Sequence, residues 1–85
     1  MAGPERRLVE LLQSARPMRL FRGCRQLSSN AIDELIALTP DDGDPERDAA
    51  AAVGHAVRNA RRTPLTDGRR LRSDQIDALL SRLGA

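Results

Sequence analysis

Apolar residues recur at helical spacing in four stretches of this chain. Leu8, Leu11, Leu12 and Ala15 fall at i, i+3, i+4 and i+7, which is one stripe on a helix. They predict a first helix from about Pro4 to Ala15. Pro4 suits the first turn and Glu5 sits by the positive end of the dipole, while Pro17 stops the helix. Ile32, Leu35 and Ile36 supply the inner face of a second helix that starts at Ser29 or Asn30 and ends at Thr39-Pro40. Asp44-Pro45-Glu46 reads as the start of a third, running to about Arg62 with a stripe of small residues: Ala49, Ala52, Val53, Ala56, Val57 and Ala60. Thr63-Pro64 breaks that pattern, and Leu65 to Arg70 reads as a loop or turn. The last helix opens at Ser73 or Asp74, carries Ile76, Leu79, Leu80 and Leu83, and stops near Gly84.

Pro17 to Gln26 is ambiguous. Met18, Leu20, Phe21 and Cys24 would share one face of a short helix, with Arg16, Arg19, Arg22 and Arg25 as an oblique band. Gly23 weakens that helix. The pattern as a whole predicts one all-α domain over residues 1–85, a small bundle of four or five short helices with Asp44–Arg62 the longest. Leu27 to Ile36 also echoes Leu71 to Leu80. Any capped amphipathic helix gives such an echo, and the intervening segments do not match. Convergence is therefore preferred to a duplicated helical hairpin.

Composition makes the expected core thin. Leu, Ile, Val and Phe make 19 of 85 residues, and Phe21 is the single aromatic, so the large areas that rings bury are missing. A chain this short buries a modest share of its surface. Marginal stability as a monomer follows, with a second copy or a partner supplying the missing area. Few apolar residues with many charges is also the signature of disorder, and the clean helical patterns argue against it.

Charge changes the picture more. All 14 cationic side chains are arginine, for a net charge of +2. Arg16, Arg19, Arg22 and Arg25 stand with no acid among them. Asp33 to Asp48 holds seven acids against Arg47 alone. Arg58 to Arg72 holds six arginines against Asp67. Arginine's planar fork matches carboxylates and phosphates.

Little else suggests chemistry. Cys24 is the lone cysteine, so no internal disulfide or cysteine-based metal cluster forms, and it reads as an inert, partly buried residue. His55 points away from the stripe of its helix, with no nucleophile or orienting group in sight. The acidic run Asp41 to Glu46 lacks the spacing of a calcium loop and reads as a solvated turn. No phosphate loop, zinc spacing or nucleophile elbow occurs. The N-terminus has neither a secretory signal nor a membrane span, which points to the cytoplasm.

The expectation is a non-enzymatic regulatory or adaptor protein with no cofactor, metal or small-molecule substrate. It binds an acidic protein surface, or a second copy of itself, through its amphipathic helices and through Arg16, Arg19, Arg22, Arg25, Arg69, Arg70 and Arg72. The alternative is a DNA- or RNA-binding regulator that places the same arginines on phosphates. Against it stand the absence of interleaved aromatics for base stacking and the acids Asp33 and Glu34 on the helix best placed to read a groove.

Overall fold

The computed structural model describes residues 4–63 and 68–85. In chain order the elements are α1 (Pro4–Gln13), β1 (Arg16–Pro17), β2 (Cys24–Leu27), α2 (Ser29–Leu38), α3 (Ala49–Arg58), β3 (Arg61–Arg62), β4 (Arg69–Arg72) and α4 (Ser73–Arg82). The all-α expectation is overturned: the strands form one antiparallel sheet in the order β1-β2-β4-β3, so the fold is α+β. No helix among the described residues is long and apolar enough to cross a membrane.

The boundaries of the expected helices move accordingly. Pro17–Gln26 is no helix. Phe21 accepts from the Cys24 amide in a tight turn, with Gly23 at φ +78°, the turn position that a left-handed glycine fills. The band of Arg16, Arg19, Arg22 and Arg25 is therefore spread along a β-hairpin. The long helix Asp44–Arg62 is cut at both ends. Asp44 does cap a turn, its carboxylate accepting from the Glu46 amide, but α3 begins four residues later, where Asp48 accepts from the Ala50 amide. At the other end Asn59 folds its side chain back to the His55 carbonyl, and Arg61 enters β3. Of the loop expected over Leu65 to Arg70, residues 65–67 lie outside the described residues, and Arg69–Arg72 is strand.

The echo proves to be the tail of a longer repeat. Pro4–Gln13 recurs as Ala49–Arg58 and Arg16–Pro17 as Arg61–Arg62, 45 residues on; Ser29–Leu38 recurs as Ser73–Arg82, 44 residues on. The extra residue of the first unit falls between Met18 and Cys24, because Met18 donates to the Cys24 carbonyl as Thr63 does to that of Gly68. Periods of this length mark repeated supersecondary units. Six buried positions coincide: Leu8, Leu11, Leu12, Leu27, Ile32 and Leu35 in one half match Val53, Ala56, Val57, Leu71, Ile76 and Leu79 in the other. Even the helix stops agree, since Ser14 bonds back to the Leu11 carbonyl as Asn59 does to His55. Gln26 and Arg70 are equivalent in the repeat and opposite in the β2–β4 register. A pseudo-twofold axis thus passes between them. Leu27 and Leu71 lie on the same face, so this axis stands normal to the sheet.

All four helices pack over that face. Their stripes, with Leu27 and Leu71, make one core. Leu8, Leu11, Leu12, Leu35, Leu79 and Leu83 of the helical stripes are buried inside it, and Leu80 packs half-buried against it. Among the described residues Leu20 alone of the large apolar side chains is fully exposed, at 90%.

The two halves differ where the α2–α3 connection crosses α3. Gly54 is buried in mid-helix, and a Cβ there would fall 2.5 Å from the Thr39 hydroxyl and from an Arg58 nitrogen. Gly54→Ala would ordinarily gain up to about 1 kcal/mol in a helix interior. Here the clash reverses the sign. We expect a loss of about 1–3 kcal/mol in denaturant unfolding, and a gain would show that α3 can back away from Thr39.

An exposed clasp joins α1 to α2. Arg7 donates to both carboxylate oxygens of Glu34, one bond at 2.9 Å, and to Glu10 at 3.3 Å. The hydrogen bonds and charge of Arg7 hold the Glu34 carboxyl below its usual range. A carboxyl depressed in the folded state adds stability above its unfolded pKa, about 4.3, and loses it as pH falls through the folded value. Melting temperatures of wild type and Glu34→Gln should therefore differ at neutral pH and converge in acid. A gap that persisted unchanged at low pH would contradict the clasp.

Candidate functional site

Seven of the twelve strand residues are arginine (Arg16, Arg25, Arg61, Arg62, Arg69, Arg70, Arg72) and none is acidic. Directly opposed residues of an antiparallel pair share a face, so the register divides these arginines. Arg25 opposes Leu71 and Arg69 opposes Leu27, which turns both toward the helices. Arg25 donates to Asp77 of α4 at 3.2 Å. Arg69 donates to the Val57 carbonyl at 2.9 Å and so closes the C-terminal end of α3.

The outward face carries the row Arg16–Gln26–Arg70–Arg61, running across all four strands. Cys24 and Arg72 form the neighbouring pair. Arg70 lies over the Phe21 ring, 3.9 Å from its centroid, and donates weakly to the Arg62 carbonyl at 3.4 Å. This cation–π contact ties the first hairpin to the sheet. Arg72 pairs with Asp74 at 2.9 Å. Arg16, Arg19, Arg22, Arg61 and Arg62 are exposed, and their side chains make no hydrogen bond or ion pair with the described residues. Five arginine forks therefore project from the sheet and its first hairpin without acid partners.

Of the residues singled out from the sequence, Arg16, Arg19 and Arg22 are free to meet a partner. Arg25, Arg69, Arg70 and Arg72 are engaged within the chain. Sequence reasoning passed over Arg61 and Arg62. The signal that finds them is the repeat, in which Arg61 is the counterpart of Arg16. It lay hidden because α1 and α3 share no identical residue in register and match only in which positions are buried.

Each long strand outruns its two-residue edge partner, and a cleft opens there. Ser14, Arg16, Gln26 and Ser28 line one of about 420 Å³. Their counterparts Asn59, Arg61, Arg70 and Arg72, with Cys24 and His55 among the neighbours, line the other, of about 410 Å³. The two clefts are mates under the pseudo-twofold, and each has one free arginine on its edge strand. His55 is exposed and Cys24 half-buried. No group of three or more metal-ligating side chains occurs among the described residues.

Apart from Asp74 beside Arg72 and Asp77 beside Arg25, the ion-paired acids among the described residues lie away from the sheet. Glu34 is clasped by Arg7. Asp41 bonds Arg58 at 2.7 Å, and Arg58 also donates to the Ile36, Thr39 and Pro40 carbonyls, closing the C-terminal end of α2. Arg82 holds the Pro45 and Glu46 carbonyls. Charge that alternates along the sequence is sorted in space, with the free cations at the sheet. Comparison with known proteins returns no match: no family model, no curated protein and no solved structure is significantly similar to this chain.

Proposed function

We propose that this protein is a non-enzymatic nucleic-acid-binding module that docks the outward face of its sheet on a phosphate backbone. One observation carries the reading: Arg16 and Arg61 on the outward face of the sheet, Arg19 and Arg22 on the adjoining hairpin and Arg62 at the sheet's edge are all exposed, and their side chains have no acid partner among the described residues. Interfaces with nucleic acid are polar and strongly positive, and phosphate accepts the arginine fork in pairs of hydrogen bonds. A protein interface of standard kind needs a buried apolar or aromatic centre, and this face has none beyond Phe21, already covered by Arg70. The acids that argued against groove reading also lose their force, because α2 is not the element presented and Glu34 is bound to Arg7. Phosphate contacts alone imply sequence-independent binding, with a dissociation constant of about 10⁻⁴–10⁻⁶ M at physiological salt.

A salt titration of fluorescence anisotropy with labelled DNA tests this. Three to five phosphate contacts give log–log slopes of about −3 to −5. A flat slope, or no binding at low salt, refutes the reading. The second reading, capture of an acidic protein surface, is favoured by Leu20, an exposed apolar side chain between Arg19 and Arg22. There Leu20→Ala would cost as much as reversing its arginine neighbours, whereas phosphate binding leaves that variant nearly unaffected.

A further inference from the structure

Building on that reading, we infer that the sheet straddles double-stranded DNA with its pseudo-twofold axis along a dyad of the duplex, one half of the protein serving each strand. The backbones of a duplex are antiparallel and related by dyads normal to the helix axis. Proteins with twofold symmetry align their own axis with such a dyad. Here the axis lies within one chain, between Gln26 and Arg70, and it leaves the sheet on the side the helices do not cover. Arg16 and Arg61 are its mates at the two edges. Three inter-strand gaps of ~4.8 Å place their backbones about 14 Å apart, close to the ~12 Å width of the major groove. Both side chains are exposed and have no hydrogen-bond or ion-pair partner among the described residues, so each can swing to the phosphates on its own side.

The pairing is more than a shared residue type. Each arginine sits on a two-residue edge strand beside a cleft of nearly equal volume, and each follows a helix that stops by the same device, a polar side chain bonded back to its last turn. The two sites are therefore built alike from the backbone up. A single strand offers one backbone and satisfies one half at a time. A duplex satisfies both together, and the second contact is made at high effective concentration.

The test compares Arg16→Glu and Arg61→Glu in the full chain against a labelled duplex of roughly two helical turns and against one of its strands alone. The expected result is a loss of roughly tenfold for each variant on the duplex, equal within about twofold, and wild-type binding to the duplex tighter than to the single strand. Circular dichroism should be unchanged in both, since neither arginine side chain has a hydrogen-bond or ion-pair partner among the described residues. Loss in one variant only, or equal affinity for single strand and duplex, overturns the straddling while leaving phosphate binding standing. No binding of either probe by wild type overturns both readings.

Discussion

Leu35→Ala should lower the unfolding free energy by about 3 kcal/mol, within the 2–5 kcal/mol typical of fully buried leucines. Leu35 is 0% exposed and sits in the one cluster that joins all four helices to the sheet. Removing its branched end leaves a cavity that its neighbours close only in part. A domain of this size holds on the order of 4–13 kcal/mol in total, so the loss is a large fraction of what there is. The melting temperature should fall by about 12–24 °C. The repeat adds a sharper requirement: Leu79→Ala, the same substitution at the equivalent position, should cost a comparable amount. Losses under about 1 kcal/mol at both sites would mean that the core is loosely packed and that another molecule completes it, as the sparse composition first suggested.

The triple charge reversal of Arg16, Arg19 and Arg22 to glutamate should weaken DNA binding by on the order of a hundredfold or more and flatten the salt slope by about three. These side chains are exposed and without acid partners among the described residues, so the fold should be kept and circular dichroism unchanged. Arg47→Glu is the matched control. That side chain is 89% exposed and among the described residues pairs only with Asp44 at 3.7 Å, in the acidic connection, so its reversal should leave affinity within about twofold. Arg25 and Arg69 make poor test sites despite lying on the sheet. Arg25→Glu would set a new carboxylate against Asp77, and Arg69→Glu would remove the donor that closes α3. Either would confuse folding with binding. Equal affinity of the triple variant and wild type would remove these arginines from the interface.

The helices were legible because their signals are local and redundant. Ile76, Leu79, Leu80 and Leu83 mark α4 by spacing alone, and the start of α2 expected at Ser29 or Asn30 falls within two residues of its cap, Ser28. The strands were not, for two physical reasons. β1 and β3 have two residues each, too few for any period to show. β2 carries one buried leucine beside Cys24, Arg25 and Gln26, and β4 one among three arginines, and what makes them strands is each other, across a long loop of chain. Cys24 pairs with Arg72 and Leu27 with Arg69, contacts that no window on the sequence contains. The hairpin arginines took the i, i+3 spacing of a helix by coincidence, which turned Pro17–Gln26 toward the wrong element.

The candidate face was half visible. Two blocks of arginine stood out, and the sheet does gather them, but charge density alone did not separate Arg16, Arg19 and Arg22 from Arg25 and Arg69. That division depends on which face each residue takes, hence on register. The repeat was visible only where its identities are dense, from Leu27 and from Leu71. In α1 and α3 it survives as burial without identity: leucines in one half, valines and alanines in the other, with the α2–α3 connection packed against the smaller helix.

Amide chemical-shift mapping during titration with a short DNA duplex tests the central claim most directly. The account predicts perturbations concentrated on Arg16, Cys24–Leu27, Arg61–Arg62 and Arg69–Arg72 and on the turn around Arg22, with the Asp41–Asp48 connection silent. Perturbations centred on the helical layer, or none at DNA concentrations that saturate binding, would contradict it.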